Sequence, residues 1–286
     1  MSEVVGVVVS GGRAHARRRV RPGTASQHAF LGAVAVIACV SAAVTMALCA
    51  SMESMGEVPM SGGWAMSMTW FRMPGHTWAG AATSFVAMWV AMMMAMMLPS
   101  LVPVLLRIRR DTGNAGARRI ELLTVVVSLG YFAMWAMVGL LVFPLGAMLG
   151  NEALRLPTLA RTVPLVGSAC VILAGALQFS AWRSRHLGSL HSCSPHGAAL
   201  PGGLRAAWRL GVRLGVHCLS CCAGSTAVLL VLGVSDVRAM SVISVSIVAE
   251  RFSRDDRRVS RTLGALAVAY GAVMLARAVN LLPSAG

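Results

Sequence analysis

Four side chains able to ligate a soft metal, His217, Cys218, Cys221 and Cys222, fall within six positions of one another in an otherwise apolar stretch, residues 214–224. A helix turns about 100° per residue, so Cys218, Cys221 and Cys222 at i, i+3 and i+4 share one face within an arc of roughly 100°, with His217 flanking it. Thiolates are soft donors suited to Cu(I) or Zn(II), and three of them beside an imidazole meet the low coordination number that Cu(I) accepts. The competing reading is packing, since cysteine is also a small apolar residue at home in buried helices.

Methionine extends the set of soft donors. Met52, Met55, Met60, Met66, Met68 and Met73 lie in residues 51–77, a polar, Gly-rich segment that also carries Glu53, Glu57 and His76. A thioether binds Cu(I) without a proton to lose, which suits copper capture in an oxidising compartment. Alternatively the segment is an amphipathic flap on a bilayer surface, anchored by Trp64, Trp70 and Trp78. Further on, Met88, Met92 and Met96 recur at i+4 with Met93 and Met97 beside them. That ladder on one helix either relays Cu(I) between weak sites or fills gaps in a bundle. A looser group, His186, His191, Cys193 and His196, sits in an Arg-rich stretch, residues 183–213, at no standard finger spacing. It reads as a second metal loop or as a solvated connection.

The elements that hold these residues must be membrane helices. Hydrophobic residues make up 57% of 286 positions and charged residues 12%, a balance that a water-soluble domain does not sustain. The apolar runs are too long for barrel strands and lack two-residue alternation, so the expected fold class is all-α, a polytopic membrane helix bundle. All 25 basic residues are Arg, and the formal charge is +15. Their distribution speaks for membrane orientation and against nucleic acid as partner. Five Arg fall in each of four connecting segments, whereas the alternate segments hold only Arg72, Arg155, Arg161 and Arg238, with Arg277 inside the last run. By the positive-inside rule this predicts about seven transmembrane helices with the N-terminus cytoplasmic.

The expected organisation is a basic cytoplasmic tail at 1–28, a first transmembrane anchor at 29–50, a Met-rich external segment at 51–77 and a membrane helical domain at 78–283. Pro99 and Pro103 should kink or end the second span, residues 151–161 should form a short outer loop around Pro157, and the span of 239–250 is short. The thiol cluster then lies in the inner half of the fifth span, and the Met-rich segment lies outside. Cys39, Cys49 and Cys170 are scattered through apolar runs, where packing is the default explanation.

The run Met88-Trp-Val-Ala-Met-Met-Met-Ala-Met-Met-Leu-Pro99, then Ala174-Gly-Ala-Leu-Gln178, Gly215-Val-His-Cys-Leu-Ser-Cys-Cys222 and Glu250-Arg251 resemble the bacterial DUF2182 family, predicted metal-binding integral membrane proteins. That family includes a membrane protein thought to supply copper to a neighbouring tyrosinase. The resemblance covers roughly residues 78–277 and implies a metal-handling role, with Cys218, Cys221 and Cys222 matching the family's Cys-x-x-Cys-Cys pattern and Glu250 its acidic position. Where relatives show Lys-x-x-Cys-Leu-x-x-Cys after the fourth span, this chain has Arg183-Ser-Arg-His186-Leu-Gly-Ser-Leu190, so His186 stands for the first Cys and His191 or Cys193 for the second.

Together these readings give a multi-pass protein of the bacterial plasma membrane that binds Cu(I), with zinc as the other cation such donors accept. It would serve copper homeostasis or delivery to a copper-dependent enzyme or copper chaperone. The alternatives are a membrane thiol–disulfide relay through Cys218 and Cys221, and a non-catalytic membrane scaffold. No phosphate loop or nucleophile elbow is present and intramembrane carboxylates are limited to Glu250, so the expectation is a protein that is not an enzyme.

Overall fold

The computed structural model describes residues 24–53, 56–61, 64–71, 77–111, 116–179, 203–233, 237–252 and 256–280. They form seven α-helices, α1 (Thr24–Glu53), α2 (Trp78–Asp111), α3 (Ala117–Arg155), α4 (Pro157–Leu177), α5 (Leu204–Leu232), α6 (Val237–Phe252) and α7 (Asp256–Asn280). Between α1 and α2 lies a small antiparallel hairpin of β1 (Glu57–Met60) and β2 (Trp64–Ser67), pairing Val58 with Met66 and Met60 with Trp64, followed by a 3-10 turn at Met68–Trp70. Six helices, all but α6, are long and apolar enough to cross a membrane. The 16-residue α6 is the short one, as the sequence suggests.

α2 is the most buried of these six and forms the central strut, with α1 and α3 packed against it. The other principal contacts are α3 with α5 and α4 with α7. Both are glycine seams. A Cβ on Gly130 of α3 would stand 2.7 Å from the Trp208 carbonyl oxygen of α5, and one on Gly211 would collide with the Val127 carbonyl. In α4 and α7, Gly175 and Gly264 face each other, each 2.8–2.9 Å from the other's carbonyl oxygen when a Cβ is added. Lipid offers no hydrophobic drive for two helices to associate, so close backbone approach of this kind is what packs them. The apolar side chains left over face outward: Leu122, Val125, Leu129, Leu141, Leu145 and Met148 of α3 are all exposed. Such a face fits hydrocarbon and not water.

Local signals explain most of the element ends, and they correct one expectation and narrow another. Residues 151–161 are no loop. α3 runs 39 residues to Arg155 and α4 starts at Pro157, leaving Leu156 alone between them, extended at φ −118° and ψ 96°. Proline is as suited to the first position of a helix as to a turn, because its fixed φ is already helical and its missing N–H would have had no partner there. α2 continues through Pro99 and Pro103 to Asp111, so of the two outcomes expected there neither proline ends the span. Each ring removes one helical hydrogen bond, at a cost of about 3 kcal/mol in a water-exposed helix, but membrane bundles tolerate it where neighbours and hydroxyls compensate. Here the Ser100 hydroxyl donates to the Met97 carbonyl at 2.9 Å. Finally, α1 begins at Thr24, within the stretch expected to be tail, and α5 at Leu204, so that Arg205, Arg209 and Arg213 lie along its exposed face.

The Met-rich segment is folded onto the bundle. Met60, Met66 and Trp70 are buried, and the Trp70 ring lies 5.2 Å from that of Phe85 in the first turns of α2. Gly146 of α3 leaves room for Trp70, and Gly150 for Met66, whose sulfur a Cβ there would meet at 3.0 Å. Trp64 Nε1 donates to the Ala160 carbonyl of α4 at 2.8 Å. Met52, Met55, Met73 and His76 belong to the same expectation, but their side chains lie outside the described residues.

Candidate metal centre

On α5 the buried positions are Ala207, Gly211, Gly215, Cys218, Cys222, Thr226 and Leu229, in steps of four, four, three, four, four and three. This single stripe decides how the four candidate ligands are dealt out. Cys218 and Cys222 lie on it, 4% and 5% exposed, and their sulfurs are 4.0 Å apart. Cys221 lies about 60° to one side of Cys218 by helix geometry, only partly buried, and its sulfur is 3.8 Å from Nε2 of His217, one turn away. The helix thus divides the set into an inner Cys–Cys pair and an edge His–Cys pair. Among the described residues no three His, Cys, Asp or Glu side chains group closely enough to hold a metal.

The third partner of the inner pair is a thioether. The Cys218 thiol points at Met97 Sδ, 3.8 Å away, and Cys218 Sγ also accepts a hydrogen bond from the Tyr131 hydroxyl at 2.9 Å. Three helices therefore meet on one sulfur: α5 brings Cys218, α2 brings Met97 and α3 brings Tyr131. Gly130, next to Tyr131, together with Gly211 and Gly215, lets α3 and α5 come close enough for the phenol to reach. Two sulfurs each about 2.3 Å from a metal and held at a trigonal angle stand about 4.0 Å apart. The Cys218–Met97 and Cys218–Cys222 separations, 3.8 and 4.0 Å, each match that spacing.

Above Met97 the ladder is continuous in burial. Met88, Met92, Met93, Met96 and Met97 are each no more than 4% exposed and belong to one core with Cys218, Cys222, Met60 and Met66. From Met88 to Met97 the helix rises about 14 Å. Trp89, fully buried within this run, donates its Nε1 to the Trp135 carbonyl at 3.0 Å and so ties α2 to α3 beside the ladder.

The remaining candidates fare differently. His186, His191 and Cys193 lie outside the described residues, as does His196. Glu250 falls in the last turns of α6, and its side chain lies outside the described residues. Two sulfur contacts escape a reading of the sequence: that of Tyr131 with Cys218, which depends on the register between α3 and α5, and that of Cys49, taken as a packing residue. Cys49 is fully buried, and its thiol donates to Met240 Sδ at 4.0 Å. No disulfide joins the six described cysteines.

Residues 86–274 match the model of a family described as PpoB2, copper chaperone. No curated protein and no solved structure matches the chain. The matched segment covers well over half of the sequence and contains the Met ladder, Tyr131 and the whole thiol group, and the chain belongs to the PpoB2 copper chaperone family.

Proposed function

We propose that this member of the PpoB2 family is a multi-pass membrane protein that carries Cu(I) as cargo. In this reading the ion sits at Cys218, Cys222 and Met97, and the Met88–Met97 ladder links that site to the hairpin end of the bundle. The observation that carries the proposal is the convergence of Cys218 with Met97 at 3.8 Å and Cys222 at 4.0 Å, a buried cluster of soft donors from two helices. Soft sulfur at low coordination number favours Cu(I), with Zn(II) as the competitor that four-coordinate geometry would select. Tyr131 orients the Cys218 sulfur from outside the ligand set, as residues behind metal ligands commonly do. His217 and Cys221, less buried on the same helix, are a second pair through which the ion can be exchanged with a recipient.

The Arg distribution supports seven spans with α6 as the short one and the N-terminus cytoplasmic, and the DUF2182 resemblance supports a bacterial plasma membrane as the host. The hairpin then faces outward. Glu250, His186, His191 and Cys193 fall on the cytoplasmic side as further ligands, in line with the DUF2182 resemblance. The recipient is a copper-dependent enzyme or another copper chaperone, and the protein acts as a carrier and not as a catalyst.

Full-length protein purified in detergent, reduced and loaded anaerobically with Cu(I), tests the proposal. Replacing Cys218 and Cys222 together by Ser should remove about one tightly held copper ion per chain. Unchanged copper retention in that variant would leave the thiols with packing alone and end the proposal.

A further inference from the structure

α1 presents an unusual face to the bundle. It is among the least buried of the spanning helices, and Val36, Ile37, Val40, Val44 and Met46 are exposed on it. The residues it buries are Ser41, Thr45 and Cys49, one turn apart along a single stripe. Ser41 and Thr45 suit a helix contact, being small, and the Thr45 hydroxyl is satisfied by the Ser41 carbonyl at 2.8 Å. Cys49 is different, because its sulfur meets a thioether from another helix: Met240, in the first turn of α6, 8% exposed, at 4.0 Å. The pair repeats the chemistry and the spacing of Cys218 and Met97, at the opposite reach of the ladder. Cys49 closes α1 just before the hairpin that buries Met60 and Met66, and all four residues belong to one continuous core with Met88.

We infer that Cys49 and Met240 form a second Cu(I) site, a thiolate–thioether pair at the hairpin end of the bundle, where copper enters or leaves the Met ladder. One thiolate and one thioether give linear two-coordinate soft ligation once the sulfurs part from 4.0 Å to about 4.6 Å, twice a metal–sulfur bond, and a single thiolate cancels the charge of the ion inside the low-dielectric core. Cys49 lies before the family-matched residues 86–274. The site therefore joins a cysteine of α1, outside the matched region, to a methionine inside it. The inference rests on the proposed copper-carrying function, but it makes a separate count.

The test is anaerobic titration of the reduced full-length protein in detergent with Cu(I), read by competition with a chromophoric chelator. Wild type should hold about two ions per chain, the Cys218→Ser/Cys222→Ser variant about one, and that variant with Cys49→Ala about none. Met240→Leu, close in volume and free of sulfur, provides a variant that keeps the packing. In the Cys218→Ser/Cys222→Ser background it should weaken the remaining site at least tenfold while the elution profile and helicity stay unchanged. Wild type holding one ion, unaffected by Cys49→Ala or Met240→Leu and lost with Cys218 and Cys222, overturns the second site and leaves the carrier function standing. Wild type holding none overturns both.

Discussion

Gly130→Ala should damage copper binding without touching a ligand. The added Cβ would lie 2.7 Å from the Trp208 carbonyl oxygen and 3.3 Å from Gly211 Cα, against ordinary contact beginning at 3.4 Å. Both neighbours are backbone and cannot rotate away, so α3 and α5 must part by about 0.7 Å, the shortfall to ordinary packing. Tyr131 is the next residue along α3. The same displacement stretches its 2.9 Å bond to Cys218 towards about 3.6 Å, a long and weakened contact even for a sulfur acceptor. Overpacking of this kind costs about 1–3 kcal/mol, which outweighs the roughly 1 kcal/mol that alanine gains over glycine in a helix. Loss of a partner behind a metal ligand lowers affinity about 10- to 100-fold. Gly224→Ala on α5 is the control, since its Cβ would meet the Ala174 carbonyl oxygen at 3.5 Å, an ordinary contact. That variant should be as stable as wild type or up to about 1 kcal/mol more so, with copper affinity unchanged. Thermal unfolding in detergent and Cu(I) competition against a chelator read both quantities. Gly130→Ala that stays folded and binds Cu(I) as wild type does would refute the claim that the α3–α5 seam sets the site.

Met97→Leu keeps the volume, at a folding cost below about 1.5 kcal/mol, but removes the third soft donor. Cu(I) affinity by the same competition should fall at least tenfold, and wild-type affinity would show that the 3.8 Å contact is packing only. Trp64→Phe deletes the bond to the Ala160 carbonyl, about 1 kcal/mol of docking energy for the hairpin. Met66 should then oxidise several-fold faster with dilute peroxide while Met97 does not, as read by mass spectrometry of peptides. Equal rates in variant and wild type would mean that the hairpin does not depend on that bond.

Much of the frame is visible in the residues because lipid leaves so few choices. Long apolar runs must become helices, and six of them do. The Met ladder is likewise legible, since repeats of four place Met88, Met92 and Met96 on one side whatever surrounds them. What escaped depends on contacts between distant segments. Residues 51–77 read as a polar external segment because Gly and polar residues surround each Met, and it takes Trp70 against Phe85 and Gly146, Met66 against Gly150 and Trp64 on Ala160 to show its hairpin docked on the bundle. An arc of three cysteines is correct as helix geometry, yet the glycine stripe passes through Cys218 and Cys222 and leaves Cys221 at its edge with His217. No local pattern marks Tyr131 or Cys49 as neighbours of sulfur, because α3 and α6 supply the register that puts them there.

The order of donors has an energetic consequence for a copper carrier. Thioethers are neutral, so an ion resting on Met88, Met92 or Met96 keeps its full charge in a medium where an uncompensated charge costs several kcal/mol after relaxation. A thiolate cancels that charge, so the cysteine-bearing sites are the wells and the methionines between them are a shallow floor. Under the proposed function copper would reside at Cys218 and Cys222 and cross the ladder only in passing. With a second well at Cys49 the floor has a well at each end, and about 14 Å of methionine separates them along α2. Lowering the floor with one more thiolate should therefore trap the cargo. Met92→Cys is expected to raise the copper held at equilibrium by about one ion per chain and to slow its release to an external chelator, and release as fast as in wild type would mean that copper does not travel by the ladder.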